Sequence, residues 1–112
     1  LLVTTPQQVA HADVIRGANM YHNLGIPILG LVQNMSHYRC KGCGHTEHLF
    51  GPDTGRSLAK KLNIDLVADV PILPELSTCS DEGCPVVVQD PLSDGSKVFI
   101  TLASNVFEQI KA

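Results

Sequence analysis

Short apolar runs alternate along the chain with longer segments of helical period. Residues 1–6, Leu-Leu-Val-Thr-Thr-Pro, read as the end of a buried strand running straight into a helix cap. Thr5 stands at the N-cap, Pro6 at the first helical position and Gln8 at the third, a T-x-x-Q capping box. The spacing carries this helix to about Leu24, with Val14, Ala18 and Tyr21 on one stripe and Ile15 and His22 beside it. Gly25 then fits the left-handed position just past the end. Residues 26–32 are almost continuously apolar, the mark of a strand covered on both faces.

Residues 34–51 follow neither period, are rich in Gly, His and Cys, and read as a loop or small excursion. Asp53 or Thr54 caps a second helix, on which Leu58 and Leu62 stand one turn apart and Ala59 shares their face. Residues 66–70 form a third strand stopped by Pro71, and a loop holding Pro74, Pro85 and Pro91 follows. The last helix begins near Ser93, with Phe99, Leu102, Ala103, Val106 and Ile110 as its buried stripe. Strands alternating with helices imply parallel pairing and an α/β layered fold. Three strands make a small sheet, and residues 1–4 would present an apolar edge unless something upstream pairs with them. The 112 residues are therefore expected to form a single partial domain, a segment of a larger protein with any targeting sequence upstream.

Composition narrows the partners. A hydrophobic fraction of 44% fits a globular core, and a formal charge of −3 argues against a general nucleic-acid or anionic-membrane binder. No apolar run approaches the ~20 residues a membrane helix needs. Four cysteines could make two disulfides in a secreted protein, but Cys-x-x-Cys beside histidines favours a reduced compartment and a metal.

That motif, Cys40-Lys41-Gly42-Cys43, supplies half a metal site. Thiolates three apart on a glycine-relaxed turn can reach one soft metal, zinc, copper(I) or an iron–sulfur cluster, and a closed site needs four ligands. Three readings stay open. Cys40, Cys43, His45 and His48 could close on one zinc, giving a zinc-stabilised structural or interaction module, although His45 follows Cys43 so closely that the loop would be strained. The site could be shared between chains. The cysteines could be redox thiols with no metal. Cys79 and Cys84 could join the first pair in a four-sulfur site, but read more simply as small cysteines in a strand-to-helix loop.

Asn34 ends the second strand, where ligands bind in open α/β sheets, and its carboxamide could match a nucleobase edge or simply shape a turn. Asp13, Asp53 and Asp69 show no paired-carboxylate spacing, no Ser/His/Asp arrangement is evident, and no Walker-type phosphate loop is present.

Val3-Thr4-Thr5-Pro6-Gln7, the run from Gly30 to Ser36, the Cys-x-x-Cys-Gly-His stretch, His48-Leu49-Phe50-Gly51, the helix from Gly55-Arg56, Ser80-Asp81-Glu82-Gly83 and Pro85-Val86-Val87 together resemble the Mrp-type P-loop ATPases that carry iron–sulfur clusters. The match covers nearly the whole chain in the family's order, and Gln33-Asn34-Met35-Ser36 looks most like the mitochondrial branch linked to assembly of respiratory complex I. The resemblance implies the C-terminal part of a MinD-like P-loop domain, with residues 34–51 as a metal-binding loop. It implies a carrier holding a [4Fe–4S] cluster across a homodimer, each chain giving Cys40 and Cys43, and passing it to recipient apo-proteins. It places Asn34 at the adenine contact and Pro71 where the adenine pocket closes. ATP would bind the full-length parent, because the family's phosphate loop, its lysine and its magnesium-binding aspartates lie upstream. Without them this segment is expected to be inactive alone. The mitochondrial matrix is the implied compartment, the cytosol the alternative. The family's usual Cys-Pro-x-Cys is altered here: Lys41 stands for the proline, which loosens the turn and adds a positive charge.

Overall fold

Leu31, Val32 and Gln33 are all buried, as a strand requires when it has neighbours on both edges and cover on both faces. The computed structural model describes residues 1–52 and 54–111. Its elements are β1 (Leu2–Thr4), α1 (Gln8–Asn23), β2 (Leu31–Gln33), β3 (Tyr38–Arg39), β4 (Thr46–Glu47), α2 (Gly55–Leu62), β5 (Leu66–Asp69), α3 (Pro74–Asp81), α4 (Val86–Gln89) and α5 (Asp94–Lys111). The expected α/β architecture is present. β2 is the central strand of a parallel sheet ordered β1-β2-β5, with Thr4 opposite Gln33 and Gln33 opposite Asp69.

Leu2, Val14, Ala18, Leu31, Leu58 and Ala59 form the core, so α1 and α2 cover one face of the sheet. Leu62 packs against this core but is only partly buried. Side chains alternate along a strand, and Val3, pointing away from this core, is 61% exposed. α5 lies against β5.

The first helix starts later than the capping box predicts. Gln7 is the N-cap residue, because residues 5–7 are held by other partners. The Thr5 hydroxyl donates to Gln7 Oε1 (3.2 Å), and the carbonyl of buried Pro6 accepts the Thr54 hydroxyl (3.1 Å). That same bond removes Thr54 from capping α2, although it sits at the N-cap position; Asp53 lies outside the described residues. Gly25 is left-handed (φ 70°) as expected, and Ile26 N–H donates to the Tyr21 carbonyl (2.9 Å). This helix-ending bond uses the Ile26 N–H and Pro27 has none to give, so β2 begins only at Leu31.

Two further corrections follow. The proline-marked stretch after β5 is not a plain loop but contains α3 and α4, with Pro74 in the first turn of α3, where its missing N–H costs nothing. The stripe on α5 is half-buried at Phe99, Leu102 and Val106, whereas Ala103 and Ile110 are exposed, since no described element covers the distal half of that helix.

Candidate functional site

The excursion between β2 and α2 carries a two-stranded antiparallel ribbon, β3 against β4, with Tyr38 opposite Glu47 and Arg39 opposite Thr46. Its tip is the Cys-x-x-Cys turn. Cys40 N–H donates to the His45 carbonyl (2.8 Å), and Gly44 N–H donates back to the Cys40 carbonyl (2.8 Å). The closure needs a left-handed residue at Gly44 (φ 75°), which glycine supplies without strain.

Within this turn the backbone N–H of Cys43, then that of Gly42, point at the Cys40 sulfur and hold its thiol below the ordinary range, with the Cys43 thiol adding to the effect. Hydrogen bonds to a charged form favour it, so Cys40 is disposed to be a thiolate, the form that binds metal. Cys43 is exposed beside it. Lys41 does not lie over the sulfurs alone: its Nζ stands 3.9 Å from Glu75 Oε2 in the first turn of α3. Lys41 is well exposed and Glu75 half-buried, and at this separation the pair orients the loop more than it stabilises the fold.

The histidines do not gather on the cysteines. His45 Nε2 is 2.9 Å from Glu47 Oε2, and His48 Nδ1 is 3.3 Å from the Ser36 carbonyl. Among the described residues no group of three or more His, Cys, Asp or Glu side chains is placed to hold a metal ion. The zinc set Cys40, Cys43, His45 and His48 is therefore not assembled within one chain. Of the other two cysteines, only Cys84 is a loop residue. Cys79 is buried in α3, and Cys84 follows the end of that helix.

A second feature lies at the carboxyl ends of β2 and β5. Asn34 and Pro71, far apart in sequence, line one cavity of about 390 Å³ with Leu49, Phe50, Leu76 and Ser77 among its walls. Asn34 is fixed through its own backbone: its N–H donates to the Thr4 carbonyl (2.7 Å). Its Oδ1 accepts the Met35 N–H (3.0 Å), holding Met35 in the left-handed region (φ 55°). A carboxamide oxygen has a second lone pair and the amide group two donors, so polar capacity remains on an otherwise apolar wall.

Beneath it lies a buried polar cluster that sequence reading does not single out. Gln33 Nε2 donates to Asp69 Oδ1 (2.9 Å) and to Ser36 Oγ (3.2 Å). Ser36 N–H donates to the Val70 carbonyl (3.0 Å), so the segment after β2 keeps running beside the segment after β5. Leu49 and Phe50 are also missed as cavity residues. Two large apolar side chains in an otherwise polar loop are the signal that could have found them.

Comparison with known proteins gives the family and the fold. The family described as the NUBPL iron-transfer P-loop NTPase matches residues 1–107. The mouse protein named iron-sulfur cluster transfer protein NUBPL is 42% identical over 112 residues, covering 100% of this chain and 35% of its own length. An Arabidopsis thaliana protein, named iron-sulfur protein required for NADH dehydrogenase, mitochondrial, is 41% identical over 111 residues, covering 99% of this chain and 36% of its own. Among solved structures, the septum site-determining protein MinD from Pyrococcus horikoshii, complexed with Mg-ADP, superposes with a TM-score of 0.73 at 26% identity, over 98% of this chain and 43% of that one. The chain thus spans about a third of the length of the curated relatives it matches. Its sheet and helices are those of the MinD-like α/β fold, and the chain belongs to the NUBPL iron-transfer family of P-loop NTPases.

Proposed function

We propose that this chain binds an iron–sulfur cluster as cargo and hands it to recipient apo-proteins, with Cys40 and Cys43 as its ligands. One observation carries the reading: Cys40 and Cys43 stand together on the turn at the tip of the β3–β4 ribbon, closed by the Cys40–His45 and Gly44–Cys40 backbone bonds, where the Cys40 thiol is held low. The donor set fits a soft, sulfur-liganded group. Two thiolates leave half of a [4Fe–4S] coordination sphere unfilled, and among the described residues no group of three or more His, Cys, Asp or Glu side chains is placed to complete it. A second copy of the chain is the simplest source of the other two, so the cluster sits between two copies. The backbone donors of the turn lower the cost of losing the Cys40 proton. Exposure of Cys43, beside a half-buried Cys40, leaves the cluster open to the thiols of an acceptor.

The Asn34–Pro71 cavity is the site for an adenine ring, held between apolar walls and selected by the Asn34 carboxamide. The MinD protein solved with Mg-ADP supports a nucleotide as the ligand of this fold. The phosphates of ATP would be held by parts of the parent protein outside these residues. The name of the Arabidopsis relative supports a mitochondrial protein that NADH dehydrogenase requires.

Anaerobic reconstitution with iron and sulfide, followed by counting iron, sulfide and protein in the size-resolved product, tests the reading. One [4Fe–4S] cluster per two chains is expected, with Cys40→Ser or Cys43→Ser losing both the cluster and the cluster-dependent dimer. A full cluster on a monomer overturns the shared site. A colourless product with one zinc per chain overturns cluster binding altogether.

A further inference from the structure

Helix α3 ends in two hydrogen bonds. Cys84 N–H donates to the Cys79 carbonyl (3.0 Å) and Gly83 N–H to the Ser80 carbonyl (3.2 Å), with Gly83 left-handed at φ 72°. In this Schellman termination, the third residue from the helix end and the second residue past it bring their side chains together. The contact is ordinarily between two apolar side chains; here both positions are cysteine. Cys79 is 8% exposed, and Cys84, half-buried, points its Sγ at Gln89 Oε1 (3.2 Å). Burial pushes the Cys79 thiol up, and the neighbouring Cys84 sulfur pushes it further.

We propose that Cys79 and Cys84 form a second dithiol site, separate from the Cys40–Cys43 turn, whose substrates are low-molecular-weight disulfides of the glutathione type and whose product is an intramolecular Cys79–Cys84 disulfide. A disulfide needs Cα atoms roughly 4.4–6.8 Å apart, and a direct N–H···O bond between two residues keeps theirs within that reach.

The two sulfurs differ in role. Cys84 is the accessible one. Its thiol gives a proton to solvent, and the thiolate attacks one sulfur of the small disulfide. That S–S bond breaks, one small thiolate leaves and takes up a proton, and a mixed disulfide remains on Cys84. The Cys79 thiol then loses its proton and attacks the Cys84 sulfur, expelling the second small thiol. Two electrons pass from the protein dithiol to the small disulfide, which ends as two thiols. The order is built in. Burial keeps the proton on Cys79, and a free Cys84 thiolate adds to that; capping Cys84 removes its part and leaves the Cys79 sulfur beside the mixed disulfide it resolves.

Closure would also alter what surrounds it. Cys79 lines one cavity with Leu76, Val86 and Phe99, and another with Lys41, Glu75 and Gln89, so the redox state of this pair bears on the helix against which the Lys41 loop rests.

Incubation of the chain with excess glutathione disulfide, acid quenching, alkylation and peptide mapping by mass spectrometry tests this. The segment holding Cys79 and Cys84 should lose two hydrogens, resist alkylation and recover on reduction. Cys79→Ser, or Cys79→Ala if the serine variant loses its helical circular dichroism, should stop at a glutathione adduct on Cys84. Cys84→Ser should leave Cys79 without an adduct in the folded chain. A wild-type chain that keeps the Cys84 adduct without closing, or that closes Cys79 or Cys84 onto Cys40 or Cys43, overturns the proposal. So does a folded chain that stays fully reduced under conditions that oxidise the same segment as a free peptide.

Discussion

The Gln33 side chain donates from Nε2 to Asp69 Oδ1 over 2.9 Å, tying the end of β2 to the end of β5 directly below the cavity that Asn34 and Pro71 line. Gln33 is wholly buried, so its amide has no water to turn to. Asp69→Ala removes the charged acceptor and should cost ~1–3 kcal/mol, the usual penalty for stranding a buried polar group. A lowered urea midpoint at unchanged slope is the expected result. A midpoint equal to that of the unaltered chain would show that Ser36 alone satisfies the donor.

Gly55 opens α2 against the same glutamine. An added Cβ would lie 2.5 Å from Gln33 Oε1 and 2.8 Å from Cδ. Alanine normally helps a helix by up to ~1 kcal/mol over glycine. Here the obstacle is not a free side-chain end, since Gln33 is tethered to both Asp69 and Ser36. Overpacking of this kind costs ~1–3 kcal/mol, so the clash outweighs the propensity. Gly55→Ala should therefore melt earlier than the parent; a higher melting temperature would mean that α2 can slide away from β2 at little cost.

The Cys40 thiol is held below the ordinary thiol range by the N–H groups of Cys43 and Gly42. Because the folded value lies below that of the unfolded chain, ionisation of Cys40 favours the folded turn fully at pH above the unfolded value. The contribution fades as pH falls through the folded one. Iodoacetamide labelling across a pH series should place the reactivity midpoint of Cys40 below that of a thiol in an unfolded peptide. Gly42→Pro, which deletes one N–H donor, should move it back up. Identical midpoints in the two proteins would dissociate the turn from the acidity of the sulfur.

Asn34 could be read from sequence as a strand-end residue, where open parallel sheets bind ligands, whereas its pairing with Pro71 comes only from the family resemblance. The Cys-x-x-Cys turn could be read because its residue types are scarce and local. α3 and α4 could not, because Pro74 and Pro85 suggest a loop until one sees that each stands at a helix start, where a missing N–H is harmless. The late start of α1 was hidden for another reason. Pro6 and Thr54 meet through the tertiary fold, and no window of neighbouring residues contains both. The exposed Ala103 and Ile110 show the same limit: periodicity identifies an apolar face, not what covers it.

Leu76 and Ser80 each line both the Asn34–Pro71 cavity and the cavity beside Phe99, so α3 is the partition between two chambers of about 390 Å³ each. A partition couples what it divides. Any tilt of α3 toward one chamber draws volume from it and yields volume to the other, and carries Glu75, the partner of Lys41, along with it. A ring seated against Leu76 on one side and an apolar group pressed against it on the other would thus compete without touching, each setting the room left to its rival.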